Sequence, residues 1–198
     1  MLRRFAVAQL RDPVVMETHG GYGRLWEACY AHLAHGIVFE KDSERASHLV
    51  LQRPSWAVYE ADSEAALRLG AGAHLEVNLL DLDPYGDPWP TIAAFFASDR
   101  PRAPEMFVVV NDGLRMSARL RTAWHTGSLA PIVGKYGNDL GPVYLDVCEE
   151  LMRENGAKAG YQLEAFSGYY CGHLGNMTHY LARLTLSPAT DKSSKRTT

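Results

Sequence analysis

Cysteine is scarce in this sequence. Cys29, Cys148 and Cys171 stand far apart in a chain of 198 residues. An odd, scattered set with no CxxC pair and no Cys/His cluster excludes a disulfide scaffold and a zinc module, and no metal is expected. The pattern fits reduced thiols in a cytoplasmic protein. Long apolar runs are also missing. No stretch of about 18 apolar residues occurs, so no membrane span is expected. The run Phe5 to Leu10, after Met1-Leu2-Arg3-Arg4, is too short for a signal-peptide core and has no small-residue cleavage site behind it. Neither sign of charge dominates: the formal net charge is -3. Any nucleic-acid contact must therefore come from a local basic patch. There is no internal repeat and no G-x-x-x-x-G-K-[ST] phosphate loop.

What is present is a chain rich enough in apolar residues, 46%, to fill a core. Strand-like and helix-like stretches alternate along it. Short apolar strands are expected at Val14 to Glu17, Gly36 to Glu40 and Ala57 to Glu60, then at Leu75 to Asp83 and Met106 to Asn111. The continuous apolar run of the last suits a strand covered on both faces. Between them lie helical patterns from Arg24 to about His35, from Ser43 to about Leu51, from Ser63 to near Gly70 and from Trp89 to about Ser98. Tyr144 to Asn155 is an amphipathic helix stopped by Gly156. Tyr161 to Tyr170 and Met177 to Leu186 are two late strands, joined antiparallel by the loop Cys171 to Asn176. The alternation implies an α/β fold around a central, mostly parallel sheet. Residues 1–186 read as one domain that begins almost at its first strand, and residues 187–198 as a flexible polar tail.

Acids recur at the ends of the first four strands. Glu17, Glu40, Asp62 and Asp83 follow one another at intervals of about 22 residues, one strand-helix unit each. In an open α/β sheet, ligands bind at the carboxyl ends of the strands. A glycine turn, His19-Gly20-Gly21-Tyr22-Gly23, follows the first strand and lets backbone N–H groups approach a ligand. A carboxylate after the second strand can accept from two ribose hydroxyls, and one after the third from an adenine amino group. The set describes a site for an adenosine-containing cofactor. Each acid taken singly is also compatible with a helix cap or a solvated loop.

The nicotinamide fingerprint G-x-G-x-x-G is not met, because Trp26 stands where the third glycine belongs. Glu17-x-x-x-Gly21-x-Gly23 instead resembles motif I of the class I S-adenosylmethionine-dependent methyltransferases, in the form found in nucleic-acid methyltransferases. His19 stands where that form often has Phe or Pro. Asp83-Pro84-Tyr85-Gly86, at the end of the fourth strand, resembles motif IV of amino-methylating enzymes. Its D-P-[FY]-G version is similar to that of the tRNA guanine-N2 dimethyltransferases. The resemblance covers Val14 to Asp112, about half the chain. It implies a Rossmann-like class I methyltransferase fold: a mostly parallel seven-stranded sheet with one antiparallel strand and helices on both faces. It also implies S-adenosylmethionine as cofactor, S-adenosylhomocysteine as its product, and transfer of a methyl group to an exocyclic amino nitrogen. Glu17, His19, Gly20, Gly21, Gly23, Glu40, Lys41, Asp62 and Asp83 would hold the cofactor. Asp83, Pro84 and Tyr85 would carry the chemistry. Such a nitrogen is a poor nucleophile because its lone pair is delocalised into the ring. Asp83 and the Pro84 carbonyl can accept its N–H bonds and aim the lone pair, and Tyr85 can stack on the base.

For the substrate, Tyr85, Trp89, Asn111 and Arg115 are the candidate contacts. Arg100, Arg102, Arg119, Arg121, His125 and Lys135 also flank the presumed site and could meet phosphates, although a solvated helix face explains them equally well. Trp124, Tyr169 and Tyr170 suit stacking or the core. His173 and His179 have no partners that suggest a metal. The chain shows no counterpart of the extra RNA-binding domain carried by the tRNA enzymes. A second copy or a partner protein could supply recognition. The acceptor stays open between a nucleic-acid base, a small molecule and a protein side chain, and a non-catalytic cofactor-binding protein is a further alternative.

Overall fold

The computed structural model describes residues 1–84, 86–115, 130–137 and 140–188, the side chain of Val133 excepted. A seven-stranded sheet runs through it in the order β3-β2-β1-β4-β5-β7-β6. The strands are β1 (Val15–Glu17), β2 (Gly36–Glu40), β3 (Ala57–Glu60), β4 (Leu79–Leu82), β5 (Glu105–Asp112), β6 (Tyr161–Cys171) and β7 (Met177–Leu186). β1 pairs in parallel with β2 and β4, β2 with β3, and β4 with β5. β7 runs antiparallel to both β5 and β6. One antiparallel strand in a mostly parallel seven-stranded sheet is the architecture the sequence predicts.

The helices are α1 (Leu2–Gln9), α2 (Arg24–Cys29), α3 (Ser43–Gln52), α4 (Ser63–Arg68), α5 (Trp89–Ala97), α6 (Ala130–Tyr136) and α7 (Leu140–Lys158). The alternation of side chains along a strand divides the core in two. Val15, Val38, Leu79, Phe107, Val109 and Leu181 face α1, α2 and α3 through Ala6, Tyr30, Leu49 and Trp56. Met16, Ile37, Phe39, Leu80, Leu82, Val108 and Val110 face α4, α5 and α7 through Leu67, Phe95, Val147 and Met152. Val108, Val109 and Val110 are fully buried, which explains why β5 reads as a continuous apolar run. Each such side chain stabilises the fold by about 1.5–3 kcal/mol relative to exposure.

Several boundaries differ from the sequence reading. α1 occupies the N-terminal run for which the sequence reading assigned no element. α2 ends at Cys29, where the Tyr30 N–H closes the last turn on Trp26. α3 and α4 are capped by Asp42 and Asp62, one residue before the serines expected to open them. β4 starts at Leu79 because Asn78 is used as a clamp: its side chain accepts the Val14 N–H and donates to the Asp12 carbonyl. No helix among the described residues is long and apolar enough to cross a membrane.

Candidate active site

The turn after β1 is built by its glycines. Gly20 donates to the Phe39 carbonyl at 3.0 Å, and Gly23 donates back to Gly20 at 3.0 Å. Gly21 and Gly23 have φ of 53° and 78°, the left-handed region that side chains rarely adopt. A Cβ on Gly20 would lie 2.5 Å from Leu49, and one on Gly23 1.9 Å from the Gln52 amide oxygen. The left-handed φ at Gly21 and Gly23 is what calls for glycine here, and side chains at Gly20 and Gly23 would also have to displace those of α3. The Gly21 N–H donates to Glu40 Oε2 at 2.7 Å, and the Asp42 N–H to Oε1 at 3.0 Å. Each oxygen keeps a further lone pair for a ligand.

A cavity of about 720 Å³ opens at the carboxyl ends of the central strands, within the usual range for a small-molecule site. His19, Gly20, Gly21, Glu40, Lys41, Asp62, Asp83, Pro84 and Asn111 all line it. Gly23 is not among the lining residues; it serves as the left-handed N-cap of α2. Asp62 spends one oxygen on the Ala65 N–H at 3.0 Å. Tyr85, Arg119, Arg121, Trp124 and His125 lie outside the described residues. No group of three His, Cys, Asp or Glu side chains among the described residues is placed to hold a metal ion.

Asp83 is fixed from two sides. Asn111 Nδ2 donates to Asp83 Oδ1 at 2.6 Å, and Arg3 Nη2 lies 4.0 Å from the same oxygen. Arg3 is itself locked. Its Nε meets both oxygens of Asp81 at 2.8 and 3.0 Å, and Tyr30 donates to Asp81 at 2.7 Å. Burial works against the Arg3 charge, but Asp81 outweighs it and holds the guanidinium above its ordinary pKa. Arg3 Nη1 also lies 3.3 Å from His179 Nε2. Arginine can only donate, so His179 Nε2 accepts, and Nδ1–H donates to the Tyr169 oxygen at 2.8 Å. Burial, with Arg3 adding to it, lowers His179 to about 4.

The sequence reading missed Arg3, Asp81 and Tyr30. The spacing Asp81-x-Asp83 was a usable signal, since residues two apart on a strand share a face. Asn111 was expected at the substrate; here its amide orients Asp83. Asp112 was also missed. It is fully buried, accepts from the Leu114 N–H at 3.2 Å and Tyr144 at 3.3 Å, and burial pushes it up to about 7.

Three expected site residues lie away from the cavity. Glu17 shares a strand face with Val15, so its carboxylate points into the sheet–helix layer rather than at the rim. There it meets Arg53 Nη1 at 2.5 Å. The Arg53 guanidinium packs over Trp26 and Trp56, 5.1 and 5.4 Å from their ring centroids. Burial pushes Glu17 up to about 8, with Arg53 pulling the other way. Trp89 is 1% exposed and stacks on Tyr180 at 6.2 Å, so it is core. Arg115 donates to the carbonyls of Gly141 and Gly175, and its guanidinium sits 3.8 Å over Tyr170. It ties the loop after β5 to α7 and the β6–β7 turn.

No family model matches the chain, and no curated protein matches it. Solved structures do. Trm1 from Pyrococcus horikoshii, in complex with S-adenosyl-L-methionine, superposes with a TM-score of 0.66 at 14% identity over 94% of this chain. The match covers 53% of Trm1, so this chain spans about half its length. The N-methyltransferase NodS from Bradyrhizobium japonicum WM9, in complex with S-adenosyl-L-homocysteine, gives 0.60 at 11% identity, covering 94% of this chain and 84% of NodS. An rRNA methylase from Streptococcus thermophilus gives 0.54 at 13% identity, covering 95% of each chain. With its strand order and its antiparallel β7, the chain has the fold of the class I S-adenosylmethionine-dependent methyltransferases.

Proposed function

We propose that this protein is an S-adenosylmethionine-dependent methyltransferase that methylates an exocyclic amino group of a nucleic-acid base. The observation that carries the reading is Asp83, held by Asn111 at 2.6 Å in the same cavity as Glu40 and Asp62. The residues fit the cofactor. The tight Gly20–Gly23 turn leaves open space above Gly21, Glu40 offers lone pairs to ribose hydroxyls, and Asp62 offers an oxygen to the adenine amino group. Bound there, S-adenosylmethionine supplies a methyl group made electrophilic by its sulfonium.

The rest is done by the chain. Asn111 occupies Asp83 Oδ1, which leaves Oδ2 to accept one substrate N–H. The Pro84 carbonyl takes the other, since proline fixes the turn. Accepting both N–H bonds localises the nitrogen lone pair and aims it; most of the acceleration then comes from positioning. Tyr85, by the sequence reading, stacks on the base. Support for a nucleic-acid acceptor comes from the D-P-Y-G resemblance and from Arg24, Lys41 and Arg45, which line the cavity and suit phosphate contacts.

Incubation with methyl-labelled cofactor and separate pools of tRNA, DNA and protein tests this. Label is expected in a nucleic-acid pool and absent with Asp83→Ala. Label in protein alone would move the acceptor to another class, and no transfer to any pool would reject the activity.

A further inference from the structure

We propose that His19 is the proton acceptor of the reaction proposed above, on which this inference rests. Its hydrogen bonds point to the nitrogen that is free. The Asp81 carbonyl, which takes the Thr18 N–H at 2.9 Å, can only accept, and the Thr18 hydroxyl 3.2 Å away donates to its second lone pair. That hydroxyl has no second proton. Its oxygen, 2.8 Å from His19 Nδ1, therefore accepts from Nδ1–H. Nε2 is left as a bare lone pair on a half-buried ring lining the same cavity as Asp83.

The ring is also neutral when it is needed. Burial holds it below histidine's ordinary value, against the opposite pull of Asp83, Glu40, Asp62 and Asp81. These four carboxylates come from the end of β4, the end of β2 and the cap of α4, and the cations Arg24, Lys41 and Arg45 line the same cavity. A neutral imidazole with one free lone pair at neutral pH is a base in waiting.

The chemistry releases a proton that such a base can take. Methylation leaves the nitrogen cationic, carrying the new methyl group and both of its original protons. One N–H bond must break, its electron pair staying on nitrogen, to give the neutral methylamine. The proton passes to His19 Nε2 and then to water, which restores the free base. Asp83 is the rival acceptor, but one of its oxygens already takes the Asn111 N–H and the other aims the amino group. A cationic product beside Asp83 would also be retained by the carboxylate, so deprotonation favours release.

Two measurements test the assignment. In the ligand-free protein, 15N spectra of labelled histidine at neutral pH should show His19 protonated at Nδ1 and bare at Nε2. With cofactor and acceptor both saturating, His19→Gln should lower kcat by roughly 10²- to 10⁴-fold, beyond any change in cofactor affinity, and abolish the fall in rate as pH drops below the ordinary histidine range. Thr18→Val keeps the side-chain shape and removes the hydroxyl. It should release the tautomer and lower kcat in the same direction. An Nε2-protonated ring overturns the proposal. So does a His19→Gln enzyme with normal kcat and pH profile, or one whose loss lies wholly in cofactor affinity. A wild-type protein that methylates nothing overturns the proposed function and the proton-acceptor role together; the bare Nε2 is decided by the spectrum alone.

Discussion

Asp83 has two oxygens, and its use depends on which one is free. Asn111 holds Oδ1 at 2.6 Å, so removing the amide should let the carboxylate rotate without emptying the cavity. A hydrogen bond to a charged group contributes about 1.5–3 kcal/mol, and each 1.4 kcal/mol is about tenfold in rate. Asn111→Ala should therefore lower kcat by roughly 10- to 100-fold with unchanged cofactor affinity, measured by steady-state kinetics beside calorimetry. Asp112, its neighbour, makes a different prediction. It titrates at about 7 when folded against an ordinary value of 3.8. Between those values the native state keeps a proton that the unfolded chain has released. Stability from this carboxyl is full below about pH 4 and is lost as the pH rises through 7. Asp112→Asn should flatten that decline in urea-denaturation midpoints taken across the range. At this scale the sequence shows which residue types stand at the strand ends, but not where they point. Glu40, Asp62 and Asp83 reach the cavity, whereas Glu17 is claimed by Arg53, a partner 36 residues away that no local pattern announces.

Among the elements, α1 was the least legible. Its Met1-Leu2-Arg3-Arg4 start is basic and carries no side-chain helix cap. Tertiary contacts make it a helix: Ala6 is fully buried in the sheet–helix layer and Arg3 is 5% exposed, bonded to Asp81. Arg3→Met should leave Asp81 buried without its cation, a loss of about 3–5 kcal/mol. In a chain of this size that lowers Tm by roughly 2–4 °C per kcal/mol, readable by calorimetric melting. By contrast, β5 was plain, because a strand buried on both faces leaves a continuous apolar stretch, Met106 to Val110. The short helices were clear in type and uncertain in length. Asp42 and Asp62 take the capping role that the following serines also suit, and one hydrogen bond decides between them.

For the whole molecule, strand-helix alternation was enough to predict the sheet, since parallel strands need crossovers and the carboxyl ends of such strands then meet at one rim. The same topology explains why residues as distant as Gly21, Glu40, Asp62, Asp83 and Asn111 share one region: each lies at or just past the carboxyl end of a parallel strand. What the alternation could not show is the network beneath the rim, where Arg3, Asp81, Tyr30 and His179 join α1, β4 and β7 across the fold. The central claim is that this rim binds S-adenosylmethionine and that Asp83 delivers the amino group to it. Its most direct test is single-turnover methyl transfer to a nucleic-acid acceptor by wild type and Asp83→Ala, each preloaded to equal occupancy with labelled cofactor. Wild type should transfer the methyl group, and the variant should do so at a rate at least about 100-fold lower; equal rates at equal occupancy, or no transfer by wild type, would remove Asp83 from this role.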